Sequence, residues 1–164
     1  MNFWLHRPAT PTSTVASAVP FQTFLPPIIG ILLADTLCKF FAHRWLPADG
    51  VPLIPGITLR VFENIRGPFG LLPLWLTMVM SAMVLLAAGS RWTRMHHPNE
   101  ARLLRRSLSL LVGGGIANVG ERLVFGRTTD VVWIGHVTAL NVADVAILSG
   151  VLGLLTLSWR ARSF

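Results

Sequence analysis

The stretch VTALNVADVAILSGVLGLLTLSW, residues 137–159, contains one charged side chain, Asp144. A helix needs about 20 mainly apolar residues to cross a bilayer, so this stretch predicts a transmembrane helix. A carboxylate in such a helix costs free energy and usually marks a functional site. Asp144 is therefore the first candidate for a functional residue.

Three more apolar segments precede this one, at residues 21–45, 71–89 and 103–119. The whole chain is 52% hydrophobic and 13% charged, about half the charged fraction of a typical soluble domain. We therefore expect an all-α membrane protein with four transmembrane helices in one domain, residues 21–164. Residues 1–20 are polar and rich in Pro, Ser and Thr, which predicts a flexible tail.

The net charge of +7 could indicate nucleic-acid binding, but the basic residues lie mainly between and after the apolar segments. Membrane orientation explains them better, so no nucleic-acid partner is expected. The bias is clearest in the loop before and into the third segment, with Arg91, Arg94, Arg102, Arg105 and Arg106. It predicts that both termini are cytoplasmic and that most acidic residues face outward.

The two outer loops are expected to carry a small β element and part of the site. Residues 57–61 alternate apolar and polar after a Pro55-Gly56 turn, which predicts a strand. The second loop, about residues 123–136, contains Asp130. Taken alone, Asp130 is more often a turn former or helix cap than a catalytic group.

Asp130 and Asp144 are 14 residues apart, and each lies in a polar cluster. Two carboxyl groups that meet can perform acid–base chemistry on water. Asn141 shares a helix face with Asp144, and Asn118 shares one with Arg122. Arg122 could bind a carboxylate or a lipid phosphate, or extend toward lipid headgroups.

Asp35 and Lys39 have the i, i+4 spacing of a helical ion pair, which competes with a direct role in the site. The glycines 113–115 indicate close helix packing within an apolar helix. No His/Cys spacing matches a metal site, so neither a metal nor another cofactor is expected.

Several spaced motifs resemble bacterial lipoprotein signal peptidase (signal peptidase II). GGIANVGERLVFGRTTD, residues 114–130, is similar to the family pattern NxxDRxxxGxVxD, and NVADVAILSG, residues 141–150, to FNxADxxIxxG. DTLCK, residues 35–39, and NIRGPFG, residues 64–70, are similar to two motifs nearer the family's N-terminus. The motifs keep the family's order over about residues 30–150.

The resemblance implies an aspartyl peptidase of the bacterial inner membrane, with its β element and site toward the periplasm. The sequence does not give the oligomeric state, and a monomer is favoured. Its partners would be membrane lipid and diacylglyceryl-modified prolipoproteins, cut before the lipidated cysteine. Asp130 and Asp144 would be the catalytic pair. The expected substrate-binding or site-shaping residues are Asp35, Lys39, Asn64, Asn118, Arg122 and Asn141.

The chain departs from the family at several outward-facing positions. Glu121 replaces an Asp, Leu140 replaces a Phe, and Arg66 with Gly67-Pro68 replaces a Gly and two alanines. The stretch between Asp130 and Asn141 is also short. The departures predict a divergent member with altered substrate choice. The alternatives are a non-catalytic lipid- or lipopeptide-binding protein of the same fold, and a small ion carrier.

Overall fold

The computed structural model describes residues 23–65, 98–135 and 137–160. Elements are numbered within these ranges. The helices are α1 (Leu25–Trp45), α2 (Pro98–Phe125) and α3 (Val142–Arg160). The strands are β1 (Val51–Ile54), β2 (Ile57–Asn64), β3 (Thr128–Ile134) and β4 (Thr138–Leu140).

All three helices are long and apolar enough to cross a membrane by length and composition. They correspond to the first, third and fourth predicted segments. The predicted helix at residues 71–89 and the tail at residues 1–20 lie outside the described residues, as do residues 66–70 of one motif. Helix α2 extends beyond the predicted residues 103–119 at both ends, because its polar first and last turns continue the helix.

Several polar groups of the described helices are buried while many large apolar side chains are exposed. Asp35 and Lys39 are 2% and 7% exposed, whereas Phe40 of the same helix is 61% exposed. This distribution is the one expected where lipid, rather than water, surrounds the helices. The buried polar groups consequently have to find partners within the protein.

The sheet has the order β1-β2-β3-β4, and all neighbouring strands are antiparallel. The predicted strand at residues 57–61 is confirmed and continues to Asn64. The prediction that Asp130 lies in a loop is wrong, because β3 pairs with β2 and places Asp130 opposite Phe62. The pairing immobilises the backbone that carries this carboxylate.

The predicted start of the last helix at residue 137 is also wrong. Residues 138–140 form β4 against β3, with Leu140 opposite Val132, and the helix begins at Val142. An apolar run does not separate a short strand from the helix that follows it. The polypeptide therefore passes from the sheet to the helix at Asn141. This residue lies between β3, which carries Asp130, and α3, which carries Asp144.

Two glycines allow α2 to approach its neighbours closely, as the sequence predicted. A Cβ on Gly114 would lie 2.5 Å from the carbonyl oxygen of Ala143 in α3. A Cβ on Gly113 would lie 2.9 Å from Cδ1 of Ile31 in α1. Gly115 has open space around it, so the packing role is confirmed only for the other two. This close approach packs α1 and α3 against neighbouring faces of α2, and the two also contact each other through Asp35 and Ala143.

Candidate active site

Helix α3 begins with a reciprocal pair of hydrogen bonds. The backbone N–H of Asp144 donates to Oδ1 of Asn141 at 2.8 Å, and the backbone N–H of Asn141 donates to Oδ2 of Asp144 at 3.1 Å. This is the capping-box arrangement that satisfies unpaired N–H groups at a helix start. It holds the Asp144 side chain against the end of the sheet.

Two asparagines connect Asp144 with Asp130. Asn118 donates from Nδ2 to Oδ1 of Asp144 at 2.8 Å, and its own Oδ1 accepts from Nδ2 of Asn141 at 3.0 Å. Asn141 Nδ2 also lies 2.9 Å from Oδ1 of Asp130. Asn64 donates to the other Asp130 oxygen at 3.2 Å. One hydrogen-bond network therefore contains both carboxylates, which we call the aspartate pair.

The aspartate pair is surrounded by amide donors. Among the described residues, neither carboxylate forms a salt bridge with a Lys, Arg or His. Burial, with Asp130 2% exposed, raises the pKa of Asp130 to about 6, and the nearby negative charge of Asp144 contributes to this rise. The hydrogen bonds from Asn64 and Asn141 and the charge of Lys39 oppose it. Asp130 can consequently exchange a proton near neutral pH.

A second group of charges, the charged cluster, consists of the buried Asp35 and Lys39 and the partly buried Glu121. Nζ of Lys39 lies 2.6 Å from Oδ2 of Asp35 and 2.7 Å from Oε2 of Glu121. The predicted ion pair within α1 is confirmed. The sequence did not predict the contact between Glu121 and Lys39. An acid in an apolar helix, three residues after Asn118, was the available signal.

Arg122 has no carboxylate partner among the described residues. Its Nη2 donates to Oγ1 of Thr128 at 2.8 Å and lies 3.5 Å from the carbonyl oxygen of Asn64. These contacts join the end of β2 to the start of β3. Its Nε is buried and finds no acceptor in the described parts of the chain.

A groove of about 530 Å³ lies between α1 and α2, and its lining includes Lys39, Glu121 and Thr129. Neither member of the aspartate pair lines this groove. It follows the face of α2 that carries Gly120 and Val124, away from Asn118. Neither aspartate of the pair therefore faces this groove.

The predicted site residues all lie in the described ranges, and the structure brings them together. The network of the aspartate pair includes Asn64, Asn118, Asp130, Asn141 and Asp144. Asp35 and Lys39 belong to the charged cluster, and Arg122 binds beside Asn64. The chemical roles assigned to these residues stay predictions.

Comparisons with known proteins give the arrangement its context. A family model described as signal peptidase (SPase) II matches residues 28–160. The chain is 30% identical over 132 residues to the lipoprotein signal peptidase of Moorella thermoacetica, covering 79% of this chain and 86% of that protein. It is 33% identical over 144 residues to the lipoprotein signal peptidase of Syntrophotalea carbinolica, with the same coverage.

A solved bacterial membrane enzyme has the same fold. It matches with a TM-score of 0.69 and 19% sequence identity, covering 87% of this chain and 91% of that structure. A second one matches with a TM-score of 0.63 over 83% of this chain. At such low identity these matches concern the fold alone.

Proposed function

Because the chain belongs to the signal peptidase II family, we propose that it is an aspartyl endopeptidase that processes lipoprotein precursors in a membrane. Its substrates are diacylglyceryl-modified prolipoproteins, which it cleaves before the lipidated cysteine to release the signal peptide. Family membership and the three apolar helices make the chain a membrane peptidase. The aspartic mechanism and the lipidated substrate are the proposal.

One observation carries the mechanism: the buried Asp130 and the partly buried Asp144 occupy a single hydrogen-bond network with amide partners and no contacting cation among the described residues. Two nearby carboxyl groups in such surroundings resist double ionisation and share a proton. The pKa of about 6 at Asp130 supports this interpretation. The pair is best described as one titrating unit.

In the proposed reaction, the ionised carboxylate takes a proton from water as the water oxygen attacks the scissile carbonyl carbon. The protonated carboxyl donates a hydrogen bond to the carbonyl oxygen, which accumulates negative charge. The C–N bond then breaks, and a carboxyl group protonates the leaving amine. Asn118 and Asn141 orient the two carboxyl groups through the hydrogen bonds described above.

The membrane arrangement is part of the proposal. Four helices cross the inner membrane of a bacterium, both termini are cytoplasmic, and the site faces the periplasm. The arginines of residues 91–106 support this orientation. The C-terminal ends of α1 and α2 and the start of α3 all adjoin the sheet, which supports a site at one membrane edge.

A site at the membrane edge also accounts for a lipidated substrate. Acyl chains anchored in the bilayer hold the cleavage site at a constant depth. This restriction lowers the entropy cost of bringing the scissile bond to the aspartate pair. A monomer is sufficient for this mechanism, since the described site residues come from one chain.

The test is cleavage of a purified diacylglyceryl-modified prolipoprotein by the full chain in detergent, with mass spectrometry of the released signal peptide. The same precursor without its lipid is the matched substrate. We expect cleavage of the lipidated form before its cysteine and little cleavage of the other. Binding of the lipidated precursor without any cleavage would support the non-catalytic alternative and contradict the proposal.

A further inference from the structure

The charged cluster contacts the backbone of both proposed catalytic segments, one residue before each aspartate. Oε1 of Glu121 accepts the backbone N–H of Thr129 at 3.0 Å, and Thr129 precedes Asp130. Oδ1 of Asp35 accepts the backbone N–H of Ala143 at 2.9 Å, and Ala143 precedes Asp144. The two carboxylates therefore make equivalent contacts on β3 and on α3.

Lys39 joins these two contacts. Each carboxylate uses one oxygen for a backbone N–H and the other for Nζ of Lys39, at 2.6 Å for Asp35 and 2.7 Å for Glu121. A continuous chain of charge-assisted hydrogen bonds thus extends from Thr129 to Ala143 through α2 and α1. Such bonds are shorter and roughly twice as strong as bonds between neutral groups.

We infer that Glu121, with Lys39 and Asp35, is a positioning residue that sets the separation of Asp130 and Asp144. This inference rests on the proposed function and deepens it. Glu121 touches neither aspartate side chain. It acts through the Thr129 backbone, and its effect on chemistry follows from where that backbone holds Asp130.

The charged cluster depends on particular side chains because two of its three residues are buried. Asp35 and Lys39 are 2% and 7% exposed, so their contacts are largely shielded from water. The Glu121 side chain spans two elements, α1 at Lys39 and β3 at Thr129. An aspartate side chain at this position would be shorter by one carbon–carbon bond of about 1.5 Å. In this chain, the longer side chain lets one residue reach both partners.

The link has a catalytic consequence because a proton-sharing pair depends on distance. A displacement of about 1 Å in a reacting group can lower the rate roughly 10²-fold. Losing the Thr129 contact removes one restraint on β3, at the residue next to Asp130, although the pairing with β2 remains. The effect is expected in kcat, since the substrate-binding surface need not change.

The experiment compares Glu121→Leu, which removes both acceptors, with Glu121→Gln, which keeps one acceptor oxygen. Glu121→Leu leaves Asp35 and Lys39 as a charge-balanced pair, so the fold is not burdened by an extra charge. We expect a roughly 10²-fold loss of kcat for Leu, a smaller loss for Gln, and KM within about threefold of the parent. Glu63→Gln, an exposed acid on β2, is the control and should keep parental kinetics.

Amide hydrogen exchange of the full chain in detergent supplies a readout that does not need activity. Thr129 N–H should exchange faster in Glu121→Leu than in the parent or in Glu63→Gln. Parental exchange at Thr129, or parental kcat in Glu121→Leu, would overturn the positioning role. If the parent itself cleaves nothing, the proposed function fails, and faster Thr129 exchange would still establish the link. Should Glu121→Leu not fold, both measurements on Glu121→Gln decide the question.

Discussion

The aspartate pair and the charged cluster both bury carboxylates, yet they give those carboxylates different partners. Asp35 and Glu121 share an ammonium group within 2.7 Å, whereas Asp130 and Asp144 receive hydrogen bonds from asparagine amides. A contacting cation stabilises the ionised form, while neutral donors leave a buried carboxyl able to take up a proton. The comparison separates carboxylates suited to holding structure from carboxylates suited to moving protons.

The largest expected effect comes from removing ionisation from the aspartate pair. Asp130→Asn and Asp144→Asn should each lower the cleavage rate by about 10⁴-fold or more, and the double variant should be no worse, because the residues act as one unit. Single-turnover cleavage of the lipidated precursor measures this. Asp49→Asn, in the exposed turn before β1, is the control. Substantial activity in either Asn variant would exclude that aspartate from the mechanism.

Removing Lys39, the cation of the charged cluster, should mainly lower the stability of the fold. Lys39→Met leaves the buried Asp35 and the partly buried Glu121 without their ammonium partner, which should cost about 3–5 kcal/mol of unfolding free energy. Thermal unfolding in detergent measures the loss, and Arg44→Met at the exposed end of α1 is the control.

The Asp35→Asn/Lys39→Met double variant tests whether the two residues are coupled. It should lose less stability than the sum of the two single variants, because each single change leaves an unpaired charge. Strict additivity would mean that the 2.6 Å contact carries no coupling and that the contrast with the aspartate pair does not hold.

The pH dependence of cleavage tests whether the aspartate pair, unlike the charged cluster, takes up and releases a proton. The pKa of Asp130 is raised to about 6, so the shared proton is lost as pH rises through this region, and kcat/KM should fall there. At strongly acidic pH both carboxyls are protonated and the rate should fall again.

Asn64→Ala should change this pH profile in a predictable direction. It removes a donor that favours the charged form of Asp130, so the pKa should rise and the alkaline limb should move to higher pH. The profile of kcat/KM from about pH 4 to pH 9 decides this, with Asn99→Ala at the far end of α2 as the control. Movement to lower pH would contradict the hydrogen-bond assignment.

The smallest effect is expected at an ion pair that lacks burial. Arg127 and Glu63 lie 3.1 Å apart, but their side chains are 46% and 45% exposed. Solvent-exposed pairs contribute about 0–1 kcal/mol, so Glu63→Gln should change the melting temperature little. A loss as large as that of Lys39→Met would show that contact distance, rather than burial, explains the charged cluster.

The sequence predicted what depends on local spacing. The lengths of the apolar runs indicated the three described helices, and the i, i+4 spacing indicated the contact between Asp35 and Lys39. It did not predict that Asp130 lies on a strand, because that strand pairs with residues far away in the chain.

The contact between Lys39 and Glu121 was missed for the same reason. It joins positions 82 residues apart, and no periodicity within one helix indicates which distant helix it packs against. The family motifs identified the candidate residues of the site, but their hydrogen-bond partners could be identified only from the three-dimensional structure. The Thr129 and Ala143 contacts use backbone N–H groups, which every residue except proline has, so sequence holds no signal for them.

The hydrogen bonds at the start of α3 limit which substitutions could make the protein resistant to an inhibitor that binds there. Asn141 and Asp144 cap the helix through each other's backbone N–H groups, and the same side chains face the proposed chemistry. A substitution that weakened the binding of an inhibitor to these side chains would also remove the helix cap. Loss of a cap typically lowers the stability of the protein by about 1 kcal/mol. Resistance at these two positions would therefore have to satisfy folding and catalysis at once, which leaves few acceptable replacements.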